Sequence, residues 1–86
     1  MAVYYVYILR STKDEKAYIG RTNDLRRRLS EHNAGKVLST KNRRPFEFRY
    51  YEAYHREKDA QNREASLKKD GKALGQLKRR ISESLQ

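Results

Sequence analysis

Near its start the chain runs through Val3-Tyr4-Tyr5-Val6-Tyr7-Ile8-Leu9, β-branched and aromatic nearly throughout. Such a stretch pleats rather than coils, and because both sets of alternate positions are apolar it predicts a central strand with two apolar faces. Ser11 to Lys16 is polar and turn-forming, so Ala17-Tyr18-Ile19-Gly20 is expected to return as the second strand of an antiparallel hairpin.

After Gly20 the pattern changes period. Asp24, or Asn23 before it, is suited to cap a helix by accepting from a free first-turn amide. At about 100° per residue Leu25 and Leu29 form an apolar stripe, with Arg28 and His32 on its flank. A guanidinium and an imidazole beside two leucines cost several kcal/mol if buried without partners, which points to an anionic ligand. Asn33-Ala34-Gly35-Lys36 carries a glycine stop signal.

Lys36 to Arg44 then forms a basic loop ended by Pro45. Phe46 to Tyr54 begins with clean alternation and predicts a third strand with Phe46, Phe48 and Tyr50 on one side. Arg56 to Lys69 reads as a helix on which Ala60, Glu64 and Leu67 share a face. Asp70-Gly71 breaks it, and Leu74, Leu77, Ile81 and Leu85 predict a last amphipathic helix packed across the sheet. The element order is β-β-α-β-α-α in one domain spanning residues 1–86.

A formal net charge of +10 on 86 residues calls for a polyanionic partner, and nucleic acid fits better than an acidic membrane because no strongly amphipathic basic helix with aromatic anchors is present. Absence of cysteine excludes disulfides and thiol zinc sites. No apolar run approaches the ~18 residues of a membrane span and no signal-like start is present, so a cytoplasmic protein is expected.

These residues resemble the GIY-YIG nuclease family, in particular its small single-domain members. The first signature, usually Gly-Ile-Tyr, reads Val6-Tyr7-Ile8 here, with Tyr7 as the matching tyrosine and the glycine absent; the second is intact as Tyr18-Ile19-Gly20. The family's arginine and histidine, ten and fourteen positions beyond the second tyrosine, fall on Arg28 and His32, and its helical metal-ligand glutamate on Glu64. The resemblance implies an α+β fold, a three-stranded antiparallel sheet flanked by helices. It further implies an endonuclease that cuts DNA phosphodiesters with one divalent cation, Mg²⁺ or in its place Mn²⁺.

In that reading Glu64 holds the hard cation and Arg28 meets two phosphate oxygens with its planar fork. Tyr7 is the candidate general base with Tyr18 or His32 relaying the proton, and a histidine base at His32 is the open alternative. The phenolate would cost about 4 kcal/mol at neutral pH from an ordinary phenol pKa, which Arg21 and the cation would offset. Thr40 is a further candidate to assist.

Lys36, Lys41, Arg43 and Arg44, with Arg21, would track the phosphate backbone of nucleic acid, DNA ahead of RNA; with about five phosphates neutralised, log affinity should fall with log salt at a slope near 4. Blander readings stand beside these: half-buried strand tyrosines, solvated helix arginines, and Glu64 as half of a surface pair with Lys68, four positions on. The family's more distal asparagine has no match at Lys78-Arg79-Arg80, and no DNA-reading module is appended. Structure-selective or weakly selective cutting is therefore expected, with a protein partner as a source of specificity. The rival readings are a catalytically decayed basic nucleic-acid-binding module and a docking protein for an acidic partner.

Overall fold

A computed structural model of the chain describes residues 2–86. Three strands, β1 (Tyr4–Ser11), β2 (Ala17–Thr22) and β3 (Phe46–Tyr54), form an antiparallel sheet in the order β2-β1-β3. The helices are α1 (Leu25–Asn33), α2 (Glu57–Lys69) and α3 (Gly71–Arg80), with a single 3-10 turn at Lys41–Arg43. The fold is α+β in the expected order, and β1 is central as its two apolar faces require.

Those faces support two separate cores. Val6 and Ile8 pack with Ala60 and Leu67 of α2 and Leu77 of α3, joined by Tyr4, Ile19, Tyr50 and Tyr54. Tyr7 and Leu9 point the other way and pack with Phe46, Tyr18 and Phe48 beneath Leu25 and Leu29 of α1. One helix therefore covers one face and two cover the other.

The third strand departs from the sequence reading. Ile8 pairs with Tyr50 but Leu9 pairs with Phe48, so Arg49 is a surplus residue, a bulge that reverses the side-chain alternation. Phe46 and Phe48 lie on the α1 face, whereas Tyr50 and Tyr54 lie on the α2/α3 face, not all on one side as the letters suggest. The last helix is also shorter than its leucine spacing implies. It ends at Arg80, and Ile81 to Leu85 form turns whose side chains still reach the core.

Local signals elsewhere do as expected. The Asp24 side chain accepts from the Arg27 amide at 3.0 Å and starts α1. At its other end the amide of Gly35, in the left-handed region at φ 77°, donates to His32 O, and Lys36 N donates to Glu31 O. This glycine-terminated double bond fixes the last turn that carries His32. Asn33 then clasps the backbone of Phe46 from both sides, with Oδ1 accepting at 2.7 Å and Nδ2 donating at 3.1 Å, which anchors α1 to β3. No helix among the described residues is long and apolar enough to cross a membrane.

Candidate active site

On the α1 face, β1 and β2 bring Tyr7 opposite Gly20 and Leu9 opposite Tyr18. A Cβ at position 20 would fall on the Tyr7 phenol, so the glycine of Tyr18-Ile19-Gly20 provides the bed in which that ring lies. His32 descends from α1 onto the same ring: the Tyr7 hydroxyl and His32 Nε2 are 2.9 Å apart, and His32 Nδ1 is 2.7 Å from Thr40 Oγ1. The Thr40 hydroxyl has a further acceptor in Val37 O at 3.4 Å. With Thr40 donating there it accepts from Nδ1–H, which leaves the Nε2 lone pair to accept from Tyr7. Tyr7, His32 and Thr40 are at most 1% exposed, so this chain is sealed from solvent.

Burial sets the charge of the chain. It pushes the Tyr7 phenol up to about 12, against a hydrogen bond and the positive charge of Arg28. It pulls the His32 imidazole down to about 4, with Arg28 adding to the effect and Glu31 opposing it. Both groups are neutral at pH 7. His32, expected beside Arg28 to face an anion, is instead an uncharged hydrogen-bonding link between Tyr7 and Thr40.

Arg28 does keep the position its spacing implied. Its Nη1 donates to Glu31 at 3.1 Å, one of the pairings the sequence reading passed over although the i,i+3 spacing signals it. The Arg28 Nε atom is buried and has no hydrogen-bond partner among the described residues. Tyr18 stands edge-on to His32, ring centres 5.1 Å apart, and is only half-buried.

Glu64 comes from α2, on the other face of the sheet. It is nonetheless tied to the edge strand: Arg21 of β2 donates Nε to its Oε1 at 3.2 Å, and Lys68 reaches Oε2 at 3.0 Å. The Lys68 ammonium also lies 5.8 Å from the Tyr18 ring centre, so the carboxylate and this one phenol are linked round the open edge of β2. The pair with Lys68 that the sequence offered as a plain alternative is thus formed, and it forms beside that phenol. Arg21 bridges on to Glu57 at 3.5 Å.

The basic loop divides. Lys36, Lys41 and Arg44 are exposed, and the loop sits against the site through Thr40. Arg43 is committed elsewhere: it donates to Asp14 at 2.7 Å and to the carbonyls of Lys16 and Ala17, and covers the Phe46 ring. Its guanidinium holds the Asp14 carboxyl well below the usual carboxylate range and pins the β1–β2 turn.

Among the described residues no group of three or more His, Cys, Asp or Glu side chains is placed to hold a metal. Glu64 is a lone carboxylate, which suits a hard divalent cation that keeps most of its water. Arg21 and Lys68 each take one of its oxygens, which leaves a second lone pair on each for a cation, against the repulsion of the two positive side chains.

Comparison with known proteins gives a consistent family. The GIY-YIG catalytic domain matches residues 3–82. A UPF0213 protein of Clostridium perfringens is 42% identical over 66 residues, 76% of this chain and 70% of that protein. One from Staphylococcus haemolyticus is 41% identical over 69 residues, 79% of this chain and 83% of that protein. The solution NMR structure of a UPF0213 protein from Bacillus halodurans superposes with a TM-score of 0.53 at 34% identity, covering 87% of this chain and 81% of that one. With its intact Tyr18-Ile19-Gly20 lying against Tyr7, the chain belongs to the GIY-YIG family of nucleases, as one of its small members.

Proposed function

We propose that the protein is a metal-dependent endonuclease that hydrolyses phosphodiester bonds in DNA, with structure-selective or weak selectivity. The observation that carries this reading is Arg28: a half-buried guanidinium beside Tyr7 that lines an open hollow with Arg21 and Arg27, where its planar fork can meet two phosphate oxygens. Exposed Lys36, Lys41 and Arg44 extend that positive surface along the basic loop.

Within the site, the residues divide the work by exposure. Arg28 binds and orients the phosphate. Tyr7 and His32 share a proton at the Tyr7 oxygen, and Thr40 keeps the imidazole in the tautomer that accepts it. Ionising Tyr7 at pH 7 from a pKa of about 12 would cost about 7 kcal/mol, so phenolate is not the resting form. Tyr18 alone among these phenol and imidazole groups has exposed surface, which makes it the group an attacking water meets, with Tyr7 and His32 behind it. Glu64 would hold Mg²⁺ or Mn²⁺. When bound, the cation supplies charge against the phosphate and acidifies a coordinated water.

A second reading, a nucleic-acid-binding module that no longer cuts, is favoured by the double hold of Arg21 and Lys68 on Glu64. The two readings separate with purified protein, Mg²⁺ or Mn²⁺, and branched, single-stranded and duplex DNA. The nuclease reading expects metal-dependent products and a fall of at least about 100-fold in Glu64→Ala. Undiminished turnover in that variant would remove the metal role from Glu64. Salt-sensitive binding with no metal-dependent products would establish the second reading.

A further inference from the structure

Beside the candidate site, along the outer edge of β2, lies a groove of about 690 Å³ that the chemistry above does not use. Its apolar lining is Ile19 of β2, Leu67 of α2, Leu74 of α3 and Leu85 of the closing turn. Tyr18 and Lys68 form the wall it shares with the candidate site. Around the rim stand Arg10, paired with Glu15 at 3.6 Å, Lys68, paired with Glu64 at 3.0 Å, and Lys16 and Lys78, which have no acidic partner among the described residues.

An apolar bed inside a cationic rim, continuous with a phosphate site, matches one chemistry well: a strand whose bases are turned inward while its phosphates stay at the lip. Paired bases are stacked within the duplex and cannot enter a concave slot of this kind, whereas unpaired ones can. An apolar protein segment would use the leucines but leave the surplus of cations unmatched.

We propose that this groove receives unpaired nucleobases next to the phosphate to be cut, so that the protein selects DNA with a single-stranded or frayed segment beside the site. The inference takes its polymer from the nuclease reading and gives that reading a substrate class. At the opposite end of β2 a second, smaller hollow holds Arg28 for the phosphate to be cut, with Arg21 and Arg27 beside it and Glu31 and Glu57 paired to these arginines. The chain Glu57–Arg21–Glu64–Lys68 joins the two along the edge strand.

Fluorescence anisotropy in metal-free buffer tests this without cleavage. The full chain is titrated against a blunt labelled duplex, the same duplex with a single-stranded tail of about four nucleotides, and the same with an abasic tail of equal length and charge. The normal tail should bind about tenfold more tightly than the abasic one, because only the former has bases to bury. Ala17→Phe, at an exposed strand position lining the groove, should erase that gap while blunt-duplex affinity stays the same. Leu74→Ser should do likewise, with circular dichroism verifying the fold. Equal affinity for normal and abasic tails, or an undiminished gap in Ala17→Phe, overturns the proposal. The nuclease reading fails separately: a retained gap with no metal-dependent products supports the groove and removes the cutting, while products without a gap remove only the groove.

Discussion

Two clusters of tyrosine and charge lie on opposite faces of one sheet. On the α2/α3 side Tyr50 and Tyr54 both donate to Glu52, and Arg63 closes the cluster with two bonds to the same carboxylate at 2.9 and 3.0 Å. Burial would raise the Glu52 carboxyl, but Arg63 and the two phenols hold it below its ordinary value. On the α1 side Tyr7 donates to His32, His32 donates in turn to Thr40, and the Nε of Arg28 has no partner among the described residues. The first cluster closes four hydrogen bonds on one carboxylate, whereas the second is a neutral relay beside a guanidinium paired through Nη1 alone, to the partly exposed Glu31. Similar residue types therefore serve stability in the Glu52 cluster and the relay in the Tyr7 cluster.

The largest expected effect is at Arg28. In Arg28→Ala, DNA cleavage should fall about 1000-fold while the unfolding midpoint hardly moves, since its Glu31 pair is partly exposed. Glu52→Ala should do the reverse, lowering stability in denaturant melts by about 3 kcal/mol through an uncompensated Arg63, with cleavage by the folded fraction unchanged. A loss of cleavage in Glu52→Ala as deep as in Arg28→Ala would collapse the distinction between the faces.

Acid sharpens it next. His32 binds its proton only near pH 4 when folded, against an ordinary value of 6.5 unfolded. Between those values the unfolded chain holds more protons, so stability should decline by up to about 3 kcal/mol as pH falls from 6.5 to 4. Glu52, whose pKa is depressed, contributes its own loss only below the ordinary carboxyl value of 4.5. Denaturant melts from pH 7 to 4.5 on the parent and on His32→Asn should show the earlier slope in the parent alone.

The smallest effect concerns the relay's far end. Thr40→Val should reduce cleavage about tenfold and shift the ¹⁵N signals of His32 toward a mixed tautomer, and Thr40→Ser should restore both. A valine variant with an unaltered tautomer would show that Thr40 does not orient the imidazole.

Much of this was legible in the letters, because short-range rules carried it. Two apolar faces placed β1 in the middle, Asp24 and Gly35 bounded α1, and helical spacing from Leu25 and Leu29 put Arg28 and His32 on the flank of the buried stripe. What stayed hidden depended on partners distant in the chain. Phe46-Glu47-Phe48-Arg49-Tyr50 alternates without interruption on paper, with a polar residue where the bulge falls, so only pairing with β1 exposes the reversal. Helical spacing ran past Arg80 because the closing turns keep helix-like bonds, Ile81 N to Leu77 O and Leu85 N to Ile81 O. The depth of His32 depends on Thr40 closing over it from the basic loop, a contact no periodicity encodes. Arg43 read as a phosphate contact because a basic run does not reveal that Asp14 lies across the turn from it.

The surplus residue in β3 constrains the length of that strand. With Arg49 in place, one continuous ribbon contributes phenylalanines to the relay side and tyrosines to the structural side. Removing one residue there would restore strict alternation and force half the strand to show its aromatic rings to the wrong compartment. A single position thus partitions the domain, sending the phenylalanines of one strand to the relay and its tyrosines to the Glu52 cluster.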